Sequence, residues 1–369
     1  MKVTAGWKWG AVGAVLALSG CVSSGTAEQN QTLSGTATDQ NSTTAQTNTT
    51  GTGGAKGQLT GAGATFPYPI YSKWFDTYGS KNGVQINYQS IGSGGGIQQL
   101  KAGTVDFGAS DAPLKADDEK AMPGPVVHIP TVGGSVAIAY NLPGVQSLKL
   151  DGPTLANIYL GKVKKWDDPS IAALNAGAKL PSTTIAVAHR ADGSGTTNIF
   201  TTYLKTVSPE WGTKVGSGKA VSWPTGVGGK GNEGVTGVVK QQPGGIGYVE
   251  LNYAIQNKLS VASLKNKDGQ FVEPTVDSTT AAIAGGLPAL QKDIKAPLVN
   301  EAGAKAYPIV GLTYILVYKQ QKDPAKGKAL TGFLKWAMAD GQSMAKDLAY
   351  APLPAEVIKM NATAIDAIK

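Results

Sequence analysis

At 369 residues and 41% hydrophobic content, the chain is globular in composition and long enough for two packed lobes. Its 33 Lys and Arg against 25 Asp and Glu give +8, but the lysines are scattered with no run of five or six like charges, which favours a solvated surface over a nucleic-acid face. One cysteine and two histidines, His128 and His189, leave no disulfide within the chain and few metal ligands or general bases, so no metal or cofactor is expected.

The chain opens with Lys2 and Lys8, the apolar run AVGAVLAL, and the small residues Ser19 and Gly20 before Cys21, which is the layout of a secretory signal over residues 1–20. The run falls well short of the roughly 20 residues that span a bilayer, so a retained transmembrane helix is the weaker alternative. LSGC resembles a bacterial lipobox, which implies cleavage before Cys21, lipidation of that cysteine, and a lipid anchor in a membrane. Trp7 and Trp9 are unusual in such a basic region. Residues 21–57 are then the lipidated Cys and a Ser/Thr/Gly-rich tether with too few large apolar side chains to offset its ordering entropy.

After Gly57, VQINYQ, VDFGAS, VVHIP, SVAIAYN, TIAVAH, IGYVE and IVGLTYILVYK read as strands. Between them PIYSKWFDTYG, PTLANIYLG, TTNIFTTYLK and GKALTGFLKWAMADG space apolar residues by three and four, as amphipathic helices do. The class is α/β. Such alternation predicts mostly parallel sheets, with ligands beyond the carboxyl ends of the strands, where loops run into helix N-termini.

Three strand-to-helix junctions combine small residues with hydroxyls: GAGATF from Gly61, IGSGGG from Ile91, and RADGSGTT from Arg190. Each can offer backbone N–H groups and hydroxyls to an anion where the helix dipole also favours negative charge. Any one of them alone reads first as an ordinary glycine-rich turn; three together point to an oxyanion site. Arg190 is the sole arginine among 33 basic residues, and Asp192 stands two residues on. A guanidinium grips two oxygens of a tetrahedral anion, and a carboxylate can lock its orientation, whereas a surface ion pair is the plainer alternative. Asp111 falls at the carboxyl end of a strand, where its ionised side chain can accept a proton carried by the ligand. Fully ionised sulfate would meet acceptor with acceptor, and a mismatch of this kind discriminates by about 10⁴-fold or more. The alternative for Asp111 is a cap on the helix after Pro113.

GAGATFP, IGSGGG, VDFGASDAPL, LDGPTLANIYLGKVKKWDDP, RADGSGTT, GGKGNEG and PGGIGYVE resemble the periplasmic phosphate-binding proteins that feed phosphate ABC transporters, the PstS family. The resemblance runs from about Leu59 to the carboxyl end. It implies that phosphate is held by Thr65, by Phe66 through its backbone N–H, by Ser93 and Asp111, and by Arg190, Ser194, Gly195 and Thr196, with Asp192 orienting the arginine. Gly94 departs from the pattern, because some relatives carry a second serine there.

The resemblance further implies a two-lobed periplasmic-binding-protein fold, type II-like, with the ligand cleft between the lobes and hinge closure around phosphate. Residues 58–131 plus 309–369 would form lobe 1 and residues 132–308 lobe 2, the chain crossing near Thr131 and returning near Ile309. Expected partners are inorganic phosphate and the membrane permease subunits of a phosphate ABC transporter with their ATPase. The protein is expected as a monomer on the periplasmic or cell-surface side of a bacterial envelope.

Gly226 to Gly231 fits GxGxxG, but it follows a Trp-Pro pair rather than a strand, and Lys230 is not followed by Ser or Thr, so nucleotide binding is not expected. His189 would be the base for a Ser194 nucleophile, yet neighbours on a strand point to opposite faces, which argues against a phosphomonoesterase. Trp74, Phe75 and Tyr78 read as core. A surface adhesin or a phosphate sensor remains an alternative that sequence separates poorly from a transporter component.

Overall fold

The computed structural model describes residues 57–369; the leader, Cys21 and the tether up to residue 56 lie outside the described residues. Strands β1 (Gly57–Gly63), β2 (Val84–Ser90) and β3 (Phe107–Ser110) are parallel, with β1 in the middle. Helices α1 (Tyr68–Asn82) and α2 (Ser93–Ala102) make the crossovers. In α1 the spacing of Tyr71, Trp74, Phe75 and Tyr78 puts all four side chains on one buried face, so these aromatics are core.

A short helix α3 (Ala116–Lys120) leads into β4 (Val126–Asn141), sixteen residues without a break. VVHIP and SVAIAYN are therefore one strand and not two. The Gly133-Gly134 pair between them is not a turn: a Cβ on Gly133 would run into Ile283, and one on Gly134 would lie 2.6 Å from the Phe66 ring. These glycines let neighbouring side chains pack flat on the strand.

Beyond β4 come α4 (Gly152–Tyr159), β5 (Ala186–Arg190), α5 (Gly195–Val207), β6 (Val227–Gly229), α6 (Gly231–Gln241), β7 (Gly245–Glu250), α7 (Leu251–Gln256) and α8 (Val276–Lys292). The chain then returns through β8 (Ile309–Tyr318) to α9 (Pro324–Met338) and α10 (Ala355–Asp366), which pack on β1 and β4.

The main sheet runs β2-β1-β3-β8-β4-β7-β5-β6, with two short strands, Ser260–Val261 and Leu298–Val299, attached beside it. Each flank, β2-β1-β3 and β7-β5-β6, is parallel, whereas the pairs β3/β8, β8/β4 and β4/β7 are antiparallel. The expectation of mostly parallel sheets is thus corrected at the centre. The reason lies in β4 and β8, which pass between flanks as strands, without the helical crossover that would keep neighbours parallel. β4 pairs with β8 up to Ser135 and with β7 from Val136 onward, so its change of partner comes four residues after Thr131.

Candidate functional site

Four helix N-termini meet where the two flanks face each other. The first flank contributes the turn Thr65-Phe66 before α1 and Ser93 at the start of α2; the second contributes Ser194 and Gly195 at the start of α5 and Gly231 at the start of α6. Thr65, Phe66, Ser93, Asp111, Arg190, Ser194 and Thr196 are all buried. The three junctions singled out in the sequence come together across the cleft, in direct contact. Gly195 N–H donates to Ser93 Oγ at 3.0 Å, and Gly94 N–H donates to the Gly193 carbonyl at 2.8 Å. At Gly195 a Cβ would stand 2.6 Å from both Asp111 Cβ and Ser93 Oγ, so only glycine lets α5 approach the opposite wall this closely. Gly94 is similarly confined, because a Cβ there would lie 3.1 Å from Gly193 Cα.

Arg190 ends β5 and is only 3% exposed, which rules out the surface-pair alternative. Its Nε and Nη2 donate to the two oxygens of Asp192 at 2.7 and 2.5 Å. Gly231 N–H adds a third bond to Asp192 at 3.0 Å. Burial alone would raise the Asp192 carboxyl, but the Arg190 bonds and charge outweigh it and hold the group below the usual range. The fork leaves Nη1 free to turn inward, where it lies 3.4 Å from Thr196 Oγ1. Behind the arginine, Tyr248 Oη accepts its backbone N–H at 3.0 Å and meets Thr197 Oγ1 at 2.7 Å. Ser194 caps α5, accepting from Thr197 N–H at 3.0 Å.

Asp111 follows β3 and faces Arg190 from the other flank. It does not cap the next helix: α3 starts at Ala116 after Lys115, while the Asp111 carboxylate accepts from the Thr313 hydroxyl of β8 at 2.8 Å. Thr131 Oγ1 donates to the Thr313 carbonyl at 3.1 Å, and Tyr71 Oη lies 2.8 Å from Thr131 Oγ1, so the central strands brace this acid. Burial pushes the carboxyl up to about 7, against the pull of the Thr313 bond, the Arg190 charge, and the Ser93 and Thr196 bonds. Near neutrality the Asp111 carboxyl therefore stands between its charged and neutral forms. The Phe66 carbonyl is fixed by Tyr350 Oη at 2.6 Å, and the Thr65 carbonyl by Tyr253 Oη at 2.5 Å. Chemically the site is a ring of N–H and O–H donors with one cation and one titratable acceptor.

The sequence reading set aside the stretch Gly226 to Gly231 as a nucleotide loop because no strand precedes it, and none does; the stretch itself holds the short strand β6 (Val227–Gly229), parallel to β5, and Gly231 opens α6. This fourth junction places Asn232, fully buried, between the flanks: its backbone N–H and Nδ2 donate to Thr65 Oγ1 at 3.1 and 2.8 Å, and Nδ2 lies 3.2 Å from Thr196 Oγ1. A three-residue strand written Val-Gly-Gly carries no alternation to reveal it; the string GGKGNEG was its one signal. His189 stacks on Trp223 at 4.8 Å and 13°, turned away from Arg190's side chain, so it is no base for Ser194. A cavity of about 230 Å³ shares Asp111 with Pro113, Asn198 and Ile199, whereas one of about 770 Å³ follows α1 and β2 and touches none of the site residues.

The model of the PBP superfamily domain matches residues 48–340. The chain is 50% identical over 303 residues to the phosphate-binding protein PstS of Pasteurella multocida, covering 82% of this chain and 88% of that one. It is 40% identical over 333 residues to the phosphate-binding protein PstS of Methanocaldococcus jannaschii, covering 83% and 85%. Among solved structures, a high affinity periplasmic phosphate-binding protein bound with phosphate matches with a TM-score of 0.67 at 21% identity, over 83% of this chain and 93% of that one, which speaks for the fold. The chain thus has the periplasmic-binding-protein fold, and it belongs to the phosphate-binding protein PstS family.

Proposed function

We propose that this protein binds inorganic phosphate with high affinity outside the cytoplasm and delivers it to the permease of a phosphate ABC transporter for import. It acts as a substrate-binding protein and not as an enzyme. The relatives named for phosphate binding support this reading, and one observation carries it: a buried acceptor, Asp111, inside a ring of donors that includes Arg190. A protonated oxyanion satisfies both kinds of group at once, donating to the carboxylate and accepting from all the rest. Thr65, the Phe66 N–H, Ser93 and Asp111 would grip it from one side, and Arg190, Ser194, Gly195 and Thr196 from the other, with Asp192 holding the arginine.

The two flanks would act as lobes, residues 58–131 with 309–369 and residues 132–308, hinged on β4 and β8. Closure then adds the second set of donors to the first, which stabilises the loaded form. A lipid on Cys21 and the tether to residue 57 would keep the binding lobes, as a monomer, near the membrane and its permease. Calorimetric titration of the ligand-stripped protein at neutral pH tests the central claim. Tight single-site heat with phosphate and none with sulfate is expected; a folded sample silent to phosphate would overturn it.

A further inference from the structure

Asn232 does something for the site that its burial alone does not require. Its Oδ1 accepts from Glu250 N–H at 2.9 Å, which fixes the amide so that Nδ2 must face the two threonines. A hydroxyl oxygen has two lone pairs and one proton. Thr65 Oγ1 receives both the backbone N–H and Nδ2 of Asn232, so both lone pairs are filled. Thr196 Oγ1 receives Nδ2 at 3.2 Å and Arg190 Nη1 at 3.4 Å, with the same result. Neither hydroxyl is left with acceptor capacity, and the only role open to it is to donate.

Resting on the phosphate reading above, we propose that Asn232 is a positioning residue that commits the protons of Thr65 and Thr196, one on each wall, to the bound anion. A free hydroxyl rotor presents either its proton or a lone pair to a ligand; these two present only protons. Thr196 shares the second flank with both of its donors, but the Thr65 orientation exists only when the flanks are in contact, because Asn232 sits on the second and Thr65 on the first. Donor polarity is thereby coupled to closure: the open cleft has an indifferent Thr65, and the closed one has a Thr65 set for anions.

The test is a double-mutant cycle read as phosphate affinity by calorimetry on the whole protein: wild type, Asn232→Ala, Thr65→Val and the double variant. Asn232→Ala is expected to lose roughly tenfold in wild-type background, the scale of one hydrogen bond to a charged group, and at least threefold less than that when Thr65 is already valine. Undiminished affinity of Asn232→Ala, or an equal loss in both backgrounds, would reduce the residue to packing and overturn the proposal. If the alanine variant does not fold, Asn232→Asp keeps the acceptor for Glu250 N–H and the volume. Its second oxygen accepts from the hydroxyls instead, so its loss should again shrink beside Thr65→Val, while a loss independent of Thr65 reflects the added charge and overturns the idea. Should wild type itself fail to take phosphate, it is the ligand assignment that falls, and the cycle is then void because its premise is gone.

Discussion

The two walls of the cleft differ in how their charged residue is braced. On the second flank, Arg190 is held by Asp192, two residues away in the same loop, and by Gly231 holding Asp192 in turn. On the first, Asp111 is held by Thr313 from the return strand, 202 positions away, and through it by Thr131 and Tyr71. The local brace presents a cation that attracts any anion. On the proposed function, the long-range brace presents an acid that would favour a ligand with a proton to give. Attraction and rejection would thus fall to different walls, and the proposed closure would make a ligand pass both.

The strongest break in this comparison is at the arginine. Arg190→Lys leaves a buried Asp192 without its two-pronged partner and gives the anion a single mobile charge, so phosphate affinity should fall by about 10³-fold or more by calorimetry. A loss below tenfold would move the main attraction elsewhere in the cleft. Asp111→Asn tests the other wall. It replaces an acceptor by a group that can donate, and the preference for phosphate over sulfate should drop by about a hundredfold or more in competition titrations. Unchanged selectivity would remove Asp111 from that role. In the wild type, sulfate should gain ground as pH falls below about 7, where Asp111 takes up a proton and turns from acceptor to donor.

The smallest expected effect is on the ligand-free protein. The folded Asp111 value of about 7 stands above its ordinary 3.8, so between these limits the folded state holds a proton that the unfolded chain has released. Its contribution is complete below the lower limit and is lost as pH rises through the upper one. Unfolding free energies of wild type and Asp111→Asn should therefore diverge by about 2 kcal/mol between pH 5 and pH 7, with wild type losing ground toward pH 7. His128, pushed down to about 4 by burial, works in the opposite sense by losing stability as pH falls, but it is common to both proteins and cancels in the difference.

The local brace was legible before any coordinates, because Arg190 is a lone arginine and Asp192 follows it within a glycine loop. The acid was legible too, by its place at the end of a strand, but Thr313 was not: it is an ordinary residue of an apolar run until β8 is laid beside β3. Asn232 escaped for a related reason, since its partners lie on other loops and the strand before its helix is three residues long. The glycine pair in β4 misled in the opposite direction, since its cause is the bulk of Phe66 and Ile283, which arrive from elsewhere in the chain. What the sequence conceals here is set by contacts between distant segments; what it shows is set within one turn of chain.

The stack of Trp223 on His189 has a practical side. Trp223 also lies against Tyr248, whose hydroxyl holds the Arg190 backbone, and it is half-buried, unlike the fully enclosed Trp74, Trp166 and Trp211. The indole thus stacks on the residue just before Arg190, at a half-buried edge where its emission responds to polarity and quenching. If phosphate loads as proposed, the protein's own fluorescence should report it label-free, and Trp223→Phe should remove the signal.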